Sequence, residues 1–227
     1  MSKEVTVYGY NSVETSVLKN PDNIIELYVD QSSSNKRIEK LLSSKIASRL
    51  NILKVDNTFL SELLSTEKHQ GIAAKIKIND FFDLKSSIQY LSQNNGSLVL
   101  ILDDLDDPRN IGACLRTANA SDVDMVVLSK NRVNIDSPVI GKVSSGALQN
   151  TNIAVVSNIS QFIDRVKEIG FWIYGTSDNS EVSYWEPNYT DSTAIVVGSE
   201  GRGIRDLTKS QCDQVLSIPM SGNVSSL

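Results

Sequence analysis

Only two cysteines, Cys114 and Cys212, occur in the 227 residues, far apart and with no C-x-x-C or histidine cluster around them. That spacing argues against a disulfide framework and against a structural zinc site. Histidine is scarcer still, with His69 alone. No apolar run approaches the ~20 residues that cross a bilayer. The opening Met-Ser-Lys-Glu-Val-Thr lacks the apolar core of a secretory signal. The expectation is a cytoplasmic protein with neither membrane nor metal as partner. A basic excess is missing as well: 22 Lys and Arg against 27 Asp and Glu leave a net charge of −5, so bulk electrostatics does not announce a nucleic-acid binder. Hydrophobic and charged contents of 40% and 22% are those of an ordinary globular chain, long enough for one large domain or two small ones.

Charge is nonetheless unevenly placed. Lys36, Arg37, Lys40, Lys45, Arg49 and Lys54 are opposed within their stretch only by Glu39. Such a face suits phosphates, and a solvated helix surface accounts for the same pattern. Residues 5–76 read as a small α/β unit, with a short helix over Asn11–Leu18 and strands at Ile24–Val29, Asn51–Val55 and Gly71–Ile78. A helix over Asn35–Leu50 carries apolar residues at helical spacing, and Asn57 caps a further short helix. From Leu98 the pattern changes to Val-, Ile- and Leu-rich strands at Leu98–Leu102, Met125–Leu128, Ile153–Val156, Phe171–Tyr174, Ala194–Val197 and Gln214–Ile218. Helices fit between them at Pro108–Ala120, Val139–Leu148, Ser160–Ile169 and Ile204–Lys209. This alternation predicts an α/β fold with a parallel sheet covered on both faces, whose ligands bind at the carboxyl ends of the strands. The expected organisation is a domain at 1–78, a linker and leading helix at 79–96, and a second domain at 97–227.

Three strand-to-loop junctions carry the chemistry. "DDPRNIGACLRTA" (Asp106–Ala118) starts a helix with Pro108 at its first position and Ile111, Cys114, Leu115 and Ala118 as its inward stripe. Arg109 and Arg116, seven apart, share nearly one face, and guanidinium forks match phosphate oxygens. A solvated helix face explains the spacing equally. "VVGSEGRGIRD" (Val196–Asp206) runs a strand into G-x-x-G-x-G, which is neither the dinucleotide fingerprint nor a P-loop. A plain turn explains it when taken alone, although Glu200 is poorly placed for a core and suits an arginine partner. "LSIPMSGNVSSL" (Leu216–Leu227) alone says strand, then loop.

In that order and separation, the three stretches resemble the three motifs of the SpoU family, the S-adenosylmethionine-dependent ribose 2′-O-methyltransferases of the SPOUT class. "VYGYNSVETSVL" (Val7–Leu18) and "HQGIAAKI" (His69–Ile76) resemble the N-terminal domain of the family's bacterial 23S rRNA guanosine-2′-O-methyltransferases. The resemblance implies an RNA-binding N-terminal domain, a SPOUT catalytic domain with a C-terminal trefoil knot, and a homodimer. Position by position, it implies that Gly198, Ile218 and Leu227 surround S-adenosylmethionine. Arg116 then orients the ribose hydroxyl and stabilises its developing charge, because a guanidinium is too basic to accept the proton. Asn110 and Glu200 hold Arg116 or the loops, and Ser226 meets the substrate or shapes the pocket. The family's third motif continues past Ser-Leu into an asparagine and a last helix, whereas this sequence stops at Leu227. A fragment, or a protein cut short there, is expected to have an incomplete knot, weak dimerisation and poor activity.

The resemblance leaves two other readings in view: a tRNA 2′-O-methyltransferase, and a non-catalytic RNA-binding or ribosome-assembly factor. The N-terminal domain argues against the first, and the trio Asn110, Arg116 and Glu200 against the second. His69 is read as fixing the entrance to the strand at Gly71 rather than as catalytic. Trp172 and Trp185 are read as packing residues, with base stacking as the alternative.

Overall fold

The computed structural model describes residues 3–130, 134–135 and 137–222. In chain order the first elements are β1 (Lys3–Tyr8), α1 (Tyr10–Lys19), β2 (Ile24–Asp30), α2 (Lys36–Leu42), β3 (Ile52–Val55), α3 (Asn57–Leu64) and β4 (Ile72–Ile78). There follow α4 (Leu84–Ser92), β5 (Leu98–Leu102), α5 (Pro108–Ala120), β6 (Met125–Ser129), α6 (Pro138–Val143), β7 (Ile153–Val156) and α7 (Ile159–Glu168). The last are β8 (Trp172–Thr176), β9 (Thr193–Val197), α8 (Asp206–Gln211) and β10 (Gln214–Leu216). Among the described residues no helix is long and apolar enough to cross a membrane.

These elements form two units that do not follow chain order. The first comprises Met1–Asp80, Pro108–Thr117 and Asn134–Asn150; the second comprises Phe81–Asp107, Ala118–Val133 and Thr151–Leu227.

The first unit is built on a four-stranded mixed sheet in the order β1-β4-β2-β3. β1, whose KEVTVY buries Val5 and Val7, is a strand that the sequence reading did not assign. It pairs antiparallel with β4, and β2 pairs parallel with β3. The expected helix over Asn35–Leu50 is shorter. α2 starts at Asn35, whose side chain accepts from the Arg37 N–H, and stops at Leu42. Ser43 Oγ donates to the Glu39 carbonyl at 2.8 Å, a local bond that competes with continued helix. The stretch resumes only as a 3₁₀ turn at Ala47–Arg49. The cap of α3 is Asp56, which accepts from Phe59 N at 2.7 Å, while Asn57 instead donates to Asp30 Oδ2 at 2.9 Å. The expected helix over Val139–Leu148 is likewise split. α6 ends at Val143, and positive φ at Ser145 and Gly146 turns the chain before a 3₁₀ turn at Ala147–Gln149. A Cβ on Gly141 would sit 2.8 Å from Val7 Cγ1, so α6 lies directly on β1. Ser12 Oγ donates to the Lys142 carbonyl at 2.9 Å, and Gln149 Nε2 to Ser16 Oγ at 2.5 Å.

The second unit carries a six-stranded, wholly parallel sheet in the order β10-β8-β9-β5-β6-β7. One face is dry: Val99, Ile101, Met125, Val127, Ile173, Ala194 and Val196 pack with Phe162, Ile163 and Val166 of α7 and Leu91 of α4. The opposite face is not fully covered, contrary to the sequence expectation. Leu98, Leu100, Ile195 and Val197 are half-buried there, and a groove of about 410 Å³ runs along Leu98, Ile195, Leu216 and Ile218. β10 ends two residues early because Ser217 changes partner, donating its N–H to the Val182 carbonyl at 2.7 Å.

Among the described residues Phe162 is the largest side chain with no exposure to solvent, and it belongs to the core cluster of this sheet face. Phe162→Ala is expected to cost about 3–5 kcal/mol, the usual range for emptying such a site, read from urea unfolding.

Candidate functional site

The carboxyl ends of β5, β9, β8 and β10 open onto one end of the second unit, where parallel sheets bind their ligands. β9 runs through Val197 into Gly198. The chain then folds back as a tight hairpin in which Ser199 N donates to Gly203 O at 3.1 Å and Gly203 N to Ser199 O at 2.8 Å. Gly201 and Gly203 both hold positive φ, which this turn requires. Gly198 is glycine for a different reason. A Cβ there would lie 1.9 Å from the carbonyl carbon of Gly203 and 2.2 Å from Ile204 N. The returning leg of the chain occupies the space of a side chain.

Glu200 sits exposed at the tip of this hairpin and makes no hydrogen bond or ion pair among the described residues. The sequence reading gave this loop's carboxylate an arginine to hold. A different pair is formed beside the loop, by Asp103, one residue past β5. Its carboxylate has no exposure and accepts three bonds from Arg205: from the backbone N at 3.0 Å, Nε at 2.9 Å and Nη2 at 2.5 Å. These bonds raise the pKa of the Arg205 guanidinium above its ordinary value, against an opposing effect of burial. Arg202 is 3.8 Å from the adjacent Asp104, which holds φ +61°. Neither Asp103 nor Arg205 stood out in the sequence, where 102 residues separate them.

Across the same end, Ser183 bridges to Ser217, and Thr176 Oγ1 donates to the Val196 carbonyl at 3.0 Å. Ile218, just past β10, is 43% exposed, unusual for an isoleucine beside a core strand. The Ser199 and Ser183 hydroxyl oxygens are buried without a hydrogen-bond partner among the described residues. Orphaned buried hydroxyls of this kind call for a ligand or water to meet them. Cys212 lies deeper, under Gly175, and burial pushes its thiol up to about 11. No cluster of metal-ligating side chains occurs among the described residues.

Asn110 and Arg116 belong to the first unit, on the Pro108–Thr117 part of α5. Ile111 and Leu115 are fully buried, and a Cβ on Gly112 would meet Val143 at 2.7 Å, so α6 pins that face of the helix. Arg109 and Arg116 are left exposed on the other face, with Asn110 half-buried in the first turn. Cys114 is half-buried, and its thiol is pushed up by burial.

Further cations gather around β1. Lys142 Nζ sits 4.7 Å from the centre of the Tyr8 ring and donates to the Lys68 carbonyl at 2.8 Å. Burial first, and the neighbouring Lys68 second, lower its pKa. The Tyr8 phenol is raised by burial and partly relieved by Arg109. Lys142 and Lys68 gave no sequence signal, since 74 residues separate them. Lys36, Arg37, Lys40, Lys45, Arg49 and Lys54 are all exposed, and Arg37 stacks 3.9 Å over the Tyr10 ring. His69 is buried and structural: Nδ1 accepts from Gly71 N at 3.1 Å and Nε2 pairs with Ser61 Oγ at 3.2 Å. Trp172 and Trp185 are both largely exposed. Ser226 and Leu227 lie outside the described residues.

Two families match successive parts of the chain: RNA 2'-O ribose methyltransferase substrate binding over residues 6–82, and the SpoU rRNA Methylase family over residues 97–227. Among curated relatives, the 23S rRNA (guanosine-2'-O-)-methyltransferase RlmB of Coxiella burnetii is 38% identical over 100% of this chain and 91% of its own. That of Neisseria meningitidis is 33% identical over 100% of this chain and 90% of its own. Among solved structures, the SpoU methyltransferase AviRb from Streptomyces viridochromogenes in complex with the cofactor AdoMet superposes with a TM-score of 0.74. It is 21% identical and covers 99% of this chain and 84% of its own, a likeness of fold. The A. aeolicus TrmH/SpoU tRNA modifying enzyme covers 63% of this chain and 75% of its own, at 26% identity and a TM-score of 0.51.

Gly198→Ala forces a methyl group into the returning backbone and is expected to cost about 3 kcal/mol, the upper end for overpacking, read from urea unfolding. The bend it would disrupt falls in the stretch that carries the second match, and with more than half its length so matched the chain belongs to the SpoU rRNA Methylase family.

Proposed function

We propose that the protein transfers a methyl group from S-adenosylmethionine to the 2′-oxygen of a guanosine ribose in 23S rRNA, leaving S-adenosylhomocysteine and releasing the 2′-hydroxyl proton to solvent. The observation that carries this reading is coverage: relatives named for that reaction align over the whole chain, N-terminal part included. The tRNA-modifying neighbour spans only 63% of it. In the proposed organisation residues 1–78 grip RNA, 79–96 form a linker and leading helix, and 97–227 are catalytic. The family resemblance supports a homodimer working in the cytoplasm.

The residues past the strand ends fit S-adenosylmethionine. Ile218 offers an exposed apolar face to adenine, and the orphaned hydroxyls of Ser199, next to Gly198, and of Ser183, bridged to Ser217, offer donors. Gly198, Ile218 and Leu227 are the proposed holders of this methyl donor, whose sulfonium supplies an already activated methyl group. Arg116 donates to the ribose 2′-oxygen as negative charge develops there, and its fixed positive charge disfavours any role as proton acceptor. Asn110 and Glu200 position that arginine or the loops, and Ser226 meets the substrate or shapes the pocket. Alignment of oxygen, carbon and sulfur can supply up to ~7–11 kcal/mol of the barrier in favourable systems. Exposed Lys45 and Arg49 line a groove of about 480 Å³ with Asn51, suited to an RNA backbone.

Arg116→Ala is expected to lower kcat by ~10²–10³ while S-adenosylmethionine still binds, measured by tritiated methyl transfer to unmodified rRNA and by calorimetry. Normal turnover in that variant removes Arg116 from the reaction, and transfer to tRNA in place of rRNA overturns the substrate. Lys45→Ala combined with Arg49→Ala is expected to weaken rRNA binding and to reduce the salt slope of log K by about 2.

A further inference from the structure

We propose that Asp103 is a positioning residue that sets the glycine bend for S-adenosylmethionine by gripping both of its legs, with Arg205 as the hand it grips on the far side.

The upstream leg is tied through the backbone. Asp103 N donates to the Val197 carbonyl at 2.8 Å, immediately before Gly198, and extends the β5–β9 ladder one residue past its last pair, Leu102 with Val197. The downstream leg is tied through the side chain. Asp103 Oδ2 takes the Arg205 backbone N–H, and Oδ1 takes both Nε and Nη2 of its guanidinium. Between these ties lie Gly198 to Ile204, the whole hairpin. The hairpin's own two cross-bonds join Ser199 to Gly203 and cannot fix its angle to the sheet. Asp103 can, because its backbone continues directly from β5 and is bonded to Val197 of β9, and its carboxylate is fully enclosed.

The chemistry of the pair suits a positioner. A carboxylate with no access to water is strongly destabilising once its partner is removed, so the alternative arrangements of the hairpin carry an unpaired buried charge. The guanidinium fork, unlike an ammonium, fixes direction as well as distance. Arg205 remains 47% exposed, so substitutions there disturb the clamp without opening the core.

The inference rests on the methyl-transfer reading above, and one set of measurements separates the two. The proteins are the full chain, Arg205→Gln, Arg205→Lys, Asp103→Asn and Lys167→Met. The last removes a part-buried ion pair, Lys167 to Asp213 at 2.7 Å, in which neither Asp103 nor the bend takes part. S-adenosylmethionine affinity is read by calorimetry, RNA KM by methyl transfer, and amide exchange at Ser199 and Gly203 by mass spectrometry. Arg205→Gln is expected to raise the S-adenosylmethionine Kd at least ~10-fold and to speed exchange in the hairpin at least ~10-fold. RNA KM should stay within ~2-fold. Arg205→Lys, which keeps the charge and the backbone donor, falls between wild type and Arg205→Gln. Lys167→Met lowers the thermal midpoint and leaves affinity and hairpin exchange unchanged. Unchanged affinity in Arg205→Gln overturns the positioning role, whether or not exchange quickens, since faster exchange alone marks a structural tie. Asp103→Asn is read only if it folds, and Arg205→Gln decides the matter without it. A wild-type chain with no S-adenosylmethionine affinity overturns the methyl-transfer reading and the positioning role together, and is visible before any variant is made.

Discussion

A carboxylate shut away from water is tolerable only when its lone pairs are met, and in the second unit that requirement falls on Asp103. Its three bonds to Arg205 and its backbone bond to Val197 tie the chain on both sides of the segment from Gly198 to Ile204. The bend can then close so tightly that a methyl group at Gly198 has no room. The polar tie and the steric constraint reinforce each other: the clamp brings the returning leg in, and the glycine admits it.

The same logic, with apolar contacts in place of charge, builds the first unit. Gly141 lets α6 settle on β1, and Gly112 lets α5 settle on Val143. Hydrogen bonds from Ser12 and Gln149 complete the joint. A segment from the middle of the chain thus becomes part of the unit that the N-terminal residues begin. One consequence is chemical. Lys142 is carried to Lys68 and the Tyr8 ring, creating a concentration of positive charge on a protein whose net charge is negative. Local field, rather than net charge, is what a polyanion meets first at such a surface.

Much of the architecture could be read from residue order alone. Leu98–Leu102, Ile153–Val156 and Pro108–Ala120 have the same limits in the sequence reading as in the structure. Short Val-, Ile- and Leu-rich runs bounded by polar residues, and a proline at a helix start, encode their own boundaries. His69 was likewise legible as a strand-entrance residue because Gly71 follows it so closely, and its Nδ1 accepts from Gly71 N.

What residue order could not disclose depends on partners distant in the chain. Periodicity extended α2 through Leu50 and α6 through Leu148, but Ser43 bonding back to Glu39 and the positive φ of Ser145 and Gly146 cut both short. β1 is a strand because β4 pairs with it across about 70 residues. Gly198 signalled a turn in the sequence, yet only the returning backbone explains why no other residue serves. Composition and order thus determined the α/β class, most strand positions and the family. Tertiary structure decided which carboxylate holds which arginine and which lysines become neighbours, because a hydrogen bond or a charge pair is a property of distance in space, and 102 residues of chain leave that distance unspecified until the sheet has formed.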